Sequence, residues 1–198
     1  MKANRLEQII VNSPVRLLIQ EKIILRWLKS KVKLPPGGTF LEIGCGRGAG
    51  ACLLLREFLP DAVHAMDLDE GMINRAKGYV RAVQREHVHL YVGDALYLPY
   101  RAGAVDAVFG FGVLHHLPDW RAGIREIARV LKSGGVYFLE EFYPPFYLNP
   151  LVRRLVTHPE EDRFYSADLR QALAEAGLPI EDAREVKALG LLAVCRKQ

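Results

Sequence analysis

Short apolar, β-branched runs alternate with amphipathic helical stretches along most of this chain, and this alternation constrains the fold more than any other feature. Each helix carries the chain back to the same end of the sheet, so strands that alternate with helices pair in parallel. The sequence therefore predicts an α/β fold with a mostly parallel, doubly wound sheet and helices on both faces.

The expected elements follow from hydrophobic periodicity and from the turn residues between the runs. Strands are predicted at 39–43, 62–66, 88–92, 105–109 and 136–142, and helices at 48–58, 70–83, 120–131 and 166–176. The run 132–135, Lys-Ser-Gly-Gly, is typical of a helix stop. Two last strands, at 180–187 and 189–196, form a hairpin that adds one antiparallel strand to the sheet.

The first forty residues precede this alternation. Asn12-Ser13-Pro14 is typical of a helix start, with a capping side chain followed by proline in the first turn. The helix that follows places five apolar residues at helical spacing: Leu17, Leu18, Ile24, Leu25 and Leu28. The segment 34–38, Leu-Pro-Pro-Gly-Gly, ends this helix and leads into the first strand.

Charge and cysteine content narrow the function classes. The net charge is +4, and basic residues gather at Lys22, Arg26, Lys29, Lys31, Lys33, Arg153 and Arg154. We interpret them as a solvated helix face rather than a nucleic-acid surface. Cys45, Cys52 and Cys195 show neither metal-ligand spacing nor a disulfide framework, which fits a reducing cytoplasm. We expect no signal peptide and no membrane span.

A glycine-rich turn, Gly44-Cys45-Gly46-Arg47-Gly48, lies where the first strand passes into a helix. Glycine lets the backbone turn sharply and approach a ligand closely, and the helix N-terminus attracts an anionic group. A plain strand–helix turn with glycines for packing explains the same pattern. With Ala49 last, the spacing also fits a dinucleotide site, so this segment alone leaves both open.

Two aspartates follow the next two strands. Asp67 ends the second strand, about twenty residues after the glycine turn, where a carboxylate can accept hydrogen bonds from ribose hydroxyls. The alternative role, capping the next helix, falls to Asp69. Asp94 ends the third strand, where it could accept from an adenine amine or form an Asx turn. Taken alone, the position of Asp94 fits the adenine contact and the Asx turn equally well.

The fourth strand leads into Gly110-Phe111-Gly112 and then the pair His115-His116. Adjacent histidines point in different directions and no third ligand lies at metal spacing, so we expect no metal here. One histidine as a proton acceptor, or a structural role for both, remains open.

These four segments resemble, in order and spacing, the class I S-adenosylmethionine-dependent methyltransferases, in a variant close to the ubiquinone/menaquinone-type small-molecule enzymes. LEIGCGRG resembles the first motif of that family, MDLDEGMINRAK the second and GDALYLPY the third. FGVLHHLPDW and LKSGGVYFLEE resemble the fourth and fifth. The resemblance covers roughly 36–142 and implies a Rossmann-like, doubly wound, mostly parallel seven-stranded sheet with a C-terminal antiparallel hairpin strand.

The resemblance also implies a residue-by-residue cofactor site for S-adenosyl-L-methionine. The backbone at Gly44, Cys45 and Gly46 would pass the methionine part, and Glu42 would hold its amino-acid end, directly or through water. Asp67 would bind the ribose, Leu68 would lie against the adenine, and Asp94 would accept from the adenine amine, with the Ala95 N–H nearby. Phe111 would lie near the sulfonium, although many relatives carry a small polar residue there.

The acceptor side has weaker signals. Methyl transfer from a sulfonium can proceed largely by holding donor and nucleophile in line, so no catalytic residue is required. His115, His116, Glu141 and Tyr143 are candidates because they follow the fourth and fifth strands. The aromatic stretch 142–151 could form the wall of an apolar or aromatic pocket, with the N-terminal helix as a lid, or could pack over the sheet edge. Its Tyr-Pro-Pro-Phe run does not match the Asn/Asp-Pro-Pro-Tyr motif of amino methyltransferases.

We therefore predict a single methyltransferase domain, with an N-terminal helical extension (1–35), a cofactor-binding core (36–142) and a substrate-side part (143–198). It acts on a small-molecule acceptor as a monomer or homodimer, without nucleic acid. The alternatives are an RNA methyltransferase, a nicotinamide-dependent oxidoreductase, and a non-enzymatic module that binds the cofactor and a partner.

Overall fold

The computed structural model describes residues 13–34, 36–80, 87–149 and 162–198. Its strands are β1 (Thr39–Ile43), β2 (Ala62–Asp67), β3 (Val88–Val92), β4 (Val105–Phe111), β5 (Leu131–Phe142), β6 (Ile180–Val186) and β7 (Gly190–Arg196). They form one seven-stranded sheet in the order β3-β2-β1-β4-β5-β7-β6. β1 to β5 pair in parallel, whereas β7 is antiparallel to both β5 and β6. The predicted fold and its terminal hairpin are confirmed.

Helices cover both faces of this sheet. They are α1 (Pro14–Ile19), α2 (Arg26–Lys31), α3 (Ala49–Phe58), α4 (Glu70–Tyr79), α5 (Trp120–Val130), α6 (Pro144–Tyr147) and α7 (Ser166–Glu175), with a 3₁₀ helix at Leu114–His116. One apolar core packs α5 and α7 against one face of the sheet. A second core packs α2, α3 and α4 against the other face. Side chains alternate between the two cores along β1, β4, β5 and β7, as the pleat of a strand requires.

The N-terminal helix begins as predicted. Ser13 accepts a hydrogen bond from the Arg16 N–H at 3.2 Å, and Pro14 occupies the first turn. A π-helical segment, Gln20–Leu25, then separates α1 from α2. Regular i→i+4 spacing would not hold across a π turn, because its hydrogen bonds join residues five positions apart. The segment therefore changes which residues before and after it share a face: Leu18 before it is exposed at 56%, whereas Ile24, Leu25 and Leu28 are buried.

Two element boundaries differ from those expected. β5 begins at Leu131, which pairs with Val105, and four residues bulge out before Val136 pairs with Ala107. The expected stop at 132–135 is therefore a bulge inside a strand, with Gly134 in the left-handed region at φ +76°. β4 extends to Phe111, so this residue lies within the strand rather than just past it.

Several predicted features lie outside the described residues. They are the last residues of the helix expected at 70–83, the basic residues Arg153 and Arg154, and the end of the aromatic stretch 142–151. Residues 1–12 of the N-terminal extension also lie outside them.

Candidate functional site

The carboxyl ends of the parallel strands form the edge at which the sequence places its site. β1 lies between β2 and β4, and the chain winds outward in opposite directions on either side of it. In doubly wound sheets, ligands bind at such a reversal of strand order. The glycine turn leaves β1 at this edge and enters α3.

The glycine turn is held against β2 by its own backbone. The Cys45 N–H donates to the Met66 carbonyl at 2.8 Å, and the Gly46 N–H donates to Asp67 Oδ2 at 2.9 Å. Gly44 has φ +66°, and a Cβ there would lie 2.6 Å from Val113 Cγ2. Glycine at this position therefore admits the loop that follows β4, a packing role that the sequence pattern alone did not reveal.

Asp69 takes the helix-capping role expected of it, and Asp67 lies beside it. Asp69 accepts from the Gly71 N–H at 2.8 Å and caps α4. Asp67 accepts from the Asp69 N–H at 2.8 Å through its other oxygen, Oδ1. The Asp67 carboxylate is thus fixed between the glycine turn and the start of α4. An ionised carboxylate has about four lone-pair sites, so it can also accept from ribose hydroxyls.

Asp94 lies beside Asp67 because the Gly93 N–H donates to the Asp67 carbonyl at 3.0 Å. Asp94 Oδ1 accepts from the Leu96 N–H at 2.9 Å, which is an Asx turn. The turn orients the carboxylate and uses one of its oxygens. Ala95, the next residue, is buried, whereas Leu68, which follows Asp67, exposes 41% of its surface. An exposed leucine beside two fixed carboxylates provides a flat apolar contact for a planar ring.

Glu42 lies beneath the first turn of α3 and is buried, with 3% of its surface exposed. Its Oε2 atom has no hydrogen-bond partner within the described parts of the chain. A Cβ on Gly50 would lie only 1.9 Å from Glu42 Oε1, so glycine at this position makes room for the carboxyl group. Burial, together with the nearby Asp67 charge, raises the pKa of Glu42 to about 8.

The loop after β4 is organised by Glu141. This buried side chain on β5 accepts from the Val113 N–H at 3.0 Å and the Leu114 N–H at 2.8 Å through Oε1. Its Oε2 lies 2.7 Å from His115 Nδ1. Two of the sequence candidates, His115 and Glu141, therefore form a bonded pair. The Nδ1 contact sets the orientation of the imidazole ring.

Aromatic rings surround this pair. His115 stacks on Tyr147 at 5.7 Å between ring centroids, and the edge of Phe142 meets it at 5.8 Å. Phe142 stacks in turn on Phe146 at 5.1 Å. We call these four residues the aromatic cluster. Phe111 is separate from it, since its ring packs on Phe138 at 5.4 Å.

The remaining two candidates are placed differently. His116 lies against His115, with 4.3 Å between the ring centroids. Tyr143 is buried, and its hydroxyl donates to Glu185 on β6 at 2.9 Å. Burial raises its pKa to about 12. Tyr143, directly after β5, therefore connects the end of this strand to β6 at the edge of the sheet, and its hydroxyl is bound to Glu185 rather than to His115.

Three polar residues near this edge were missed by sequence reasoning. Glu140 is buried beside Arg16 of α1, with which it forms a salt bridge, and burial raises its pKa while Arg16 opposes that shift. Gln20, in the π-helical segment, is buried with 7% of its surface exposed. The available signal was a polar residue inside an apolar helical run, but its orientation depends on the π turn.

No cluster of three or more potential metal-binding side chains occurs among the residues that the structure describes. Within the same residues, no helix has both the length and the apolar character needed to cross a membrane.

Comparison with known proteins gives a consistent result. A family model described as a methyltransferase domain matches residues 41–139. The chain is similar to a demethylmenaquinone methyltransferase of Listeria welshimeri, with 32% identity over 123 residues, 60% of this chain and 52% of the relative. It is also similar to a fatty-acid O-methyltransferase of Mycolicibacterium smegmatis, with 32% identity over 62% of this chain and 44% of the relative.

The fold is also found among solved structures. An S-adenosylmethionine-dependent methyltransferase from Aquifex aeolicus superposes with a TM-score of 0.74 at 19% identity, covering 96% of this chain and 97% of that one. Identity at this level establishes the fold alone. The chain spans about half the length of the curated relatives it matches.

Proposed function

Because the chain belongs to the methyltransferase domain family, we propose that it transfers the methyl group of S-adenosylmethionine to a small-molecule acceptor. The observation that carries the proposal is the convergence of Glu42, Asp67 and Asp94 around one glycine turn at the sheet edge. A nicotinamide-dependent oxidoreductase accounts for the first two segments but not for the match that extends to 139.

The residues present fit this cofactor. The unpartnered carboxyl oxygen of Glu42 suits an ammonium group, and the fixed carboxylate of Asp67 suits ribose hydroxyls. Leu68 offers an exposed apolar surface for the adenine, whose amine would donate to Asp94, with the Ala95 N–H nearby. Cys45 would contribute through its carbonyl or Cα, since its N–H is bound to Met66.

The acceptor side favours an apolar or aromatic molecule. The aromatic cluster lies after β4 and β5, and 37% of Phe146 is exposed. The two curated relatives are named for demethylmenaquinone and for fatty acids, both of which carry long apolar groups. We therefore assign the aromatic cluster to acceptor binding. Phe111, in the last position of β4, would lie on the cofactor side of it.

Bound S-adenosylmethionine supplies an electrophilic methyl group on a sulfonium, and the protein has to hold the acceptor in line with it. We assign His115 the role of proton acceptor for an acceptor that must lose a proton. Glu141 orients the imidazole through Nδ1, and an oriented imidazole can act as a general base. We assign no role in methyl transfer to His116 or Tyr143.

RNA is the alternative acceptor, and the N-terminal helix does not favour it. Lys29 pairs with Glu57 at 2.9 Å and Lys31 with Asp182 at 2.9 Å. Lys22 likewise pairs with Glu21 at 2.7 Å. Partners of opposite charge reduce the positive potential that nucleic-acid binding requires.

We further propose that the chain forms a single domain and acts as a monomer or homodimer in the cytoplasm. Among the described residues, Cys45, Cys52 and Cys195 form no disulfide, which is compatible with a reducing compartment.

Calorimetry and radiolabelling test the proposal together. We expect the protein to bind S-adenosylhomocysteine, and the Asp67→Ala variant to bind it at least roughly tenfold more weakly, since a charge-assisted hydrogen bond is lost. With methyl-tritiated donor, label should enter the organic-solvent extract of cells and not their total RNA.

Each outcome bears on a separate part of the proposal. Absence of S-adenosylhomocysteine binding, or binding of NAD(P)H in its place, would overturn the donor assignment. Label found only in RNA would overturn the acceptor class. Cofactor binding without label in either fraction would favour a non-enzymatic module.

A further inference from the structure

The N-terminal helix buries one polar side chain, Gln20. Gln20 is the first residue of the π-helical segment and is buried, whereas the preceding Leu18 and Ile19 are exposed at 56% and 40%. Ile24 and Leu25, at the other end of the segment, are buried in the core shared with α3. The extra residue in the π turn thus separates an exposed apolar stretch from a buried one, and Gln20 lies at the junction.

Gln20 reaches the first turn of α3. Its Nε2 atom lies 3.1 Å from the position that a Cβ on Gly50 would occupy, and Glu42 Oε1 lies 1.9 Å from the same position. The amide and the carboxyl group therefore converge beside one glycine. α3 has ten residues; its N-cap residue Gly48 has no side chain, and the Glu42 carboxyl accepts from the Ala51 N–H in the first turn. A helix N-terminus carries a partial positive charge.

These groups have the chemistry of a site for an amino-acid zwitterion. A carboxylate is stabilised by a helix N-terminus and by the N–H groups of a side-chain amide. An ammonium donates hydrogen bonds to carboxyl oxygens, and Glu42 Oε2 is buried without a hydrogen-bond partner in the described parts of the chain. A buried polar atom that lacks a partner is costly, so a ligand that supplies one is favoured.

We infer that Gln20 is a cofactor-binding residue that completes the site for the methionine end of S-adenosylmethionine, its amide binding the α-carboxylate beside Glu42 and the start of α3. This inference rests on the proposed function, since it assigns one more residue to the same donor. It gives the π-helical segment a role: π turns occur often at functional sites, and here the turn directs an amide inward from a helix outside the cofactor-binding core.

Two nucleoside ligands separate this role from a packing role. S-adenosylhomocysteine carries the amino-acid end, whereas 5′-methylthioadenosine has the same nucleoside and sulfur without it. The Gln20→Met variant keeps the length and most of the volume of the side chain but removes the amide. We expect calorimetry to show roughly tenfold weaker binding of S-adenosylhomocysteine, the effect of one lost charge-assisted hydrogen bond, and unchanged binding of 5′-methylthioadenosine.

Glu21→Gln is the matched control, because Glu21 is adjacent in sequence and pairs outward with Lys22 and Arg56. It should leave both affinities unchanged. Equal weakening of both ligands in Gln20→Met, or no weakening of either, would overturn the inference while leaving the proposed function in place. If the unmodified protein binds neither ligand, the proposed function itself fails. Retained 5′-methylthioadenosine binding also shows that the variant is folded.

Discussion

Glu42 shows how one buried group can couple the cofactor site to the stability of the free protein. Its pKa of about 8 lies above the value of 4.5 for a free glutamate side chain. At pH values between 4.5 and 8, Glu42 keeps its proton in the folded chain and releases it in the unfolded chain. The native state is therefore stabilised at low pH, and this contribution is lost as the pH rises toward 8.

We expect the free energy of unfolding to fall by about 1 kcal/mol per pH unit from this group alone between pH 5.5 and 8. The Glu42→Gln variant should lack that component, because its amide does not titrate. Urea denaturation at a series of pH values measures both slopes. Parallel slopes for the two proteins would contradict the assigned pKa.

Gly50 and Gly78 form a matched pair of helical glycines in different surroundings. A Cβ at Gly50 would collide with Glu42 Oε1, whereas a Cβ at Gly78 would meet nothing within 4 Å. We expect Gly50→Ala to destabilise the fold by roughly 1–3 kcal/mol, the usual cost of overpacking, and to abolish S-adenosylhomocysteine binding. Gly78→Ala should stabilise by about 0.5–1 kcal/mol, because alanine favours helix. Urea denaturation measures the free energy of unfolding of both variants. Equal changes in the two variants would contradict the difference in surroundings between Gly50 and Gly78.

At the scale of elements, the loop after β4 depends on a side chain from the next strand. Glu141 accepts two or more backbone N–H groups of this loop and contacts the His115 ring. In Glu141→Gln the amide NH₂ would face these donors. We therefore expect hydrogen exchange at Val113, Leu114 and His115 to become at least tenfold faster, as a buried bond worth roughly 1–3 kcal/mol is lost.

The control is Glu140→Gln, one position along β5. Glu140 faces the opposite side of the sheet and pairs with Arg16. Its substitution should speed exchange in α1 and leave the loop after β4 unchanged. Faster exchange of that loop in both variants would show general loosening of β5 instead.

Sequence periodicity predicted most of these elements, because strands and helices differ in period and the sheet buries both faces. β1 and β3 have the predicted bounds, and α3 and α7 differ by one residue from those predicted. The bulge in β5 was not predictable, since Gly-Gly after a helix usually marks a loop. The π turn was not predictable either, because the spacing of apolar residues from Leu17 to Leu28 also fits a regular helix.

The sequence predicted the position of those residues that directly follow a strand, and it did not predict contacts between residues of different elements. Asp67, Asp69 and Asp94 follow strand ends, and the structure places all three at the edge expected. Glu141 bonding to His115 links residues 26 positions apart, and Gln20 approaches Glu42 across two elements. Contacts of this kind depend on tertiary packing, which a local pattern does not contain.

At the scale of the whole molecule, the N-terminal segment is joined to both halves of the fold. Ile24, Leu25 and Leu28 pack into the core shared with α3, and Arg16 reaches Glu140 at the carboxyl end of β5. The segment thus contacts both the helix that follows the glycine turn and the strand that carries Glu141.

The position of β7 has a consequence for synthesis on the ribosome. β7 follows β6 along the chain but lies between β5 and β6 in the sheet. Until residues 190–196 emerge, the backbone of β5 has an open edge, and the apolar Val136, Phe138 and Leu139 lie along it. An unpaired apolar edge invites pairing with other chains. A nascent chain paused before Gly190 would therefore be a good substrate for chaperones, and one released with β7 in place would not.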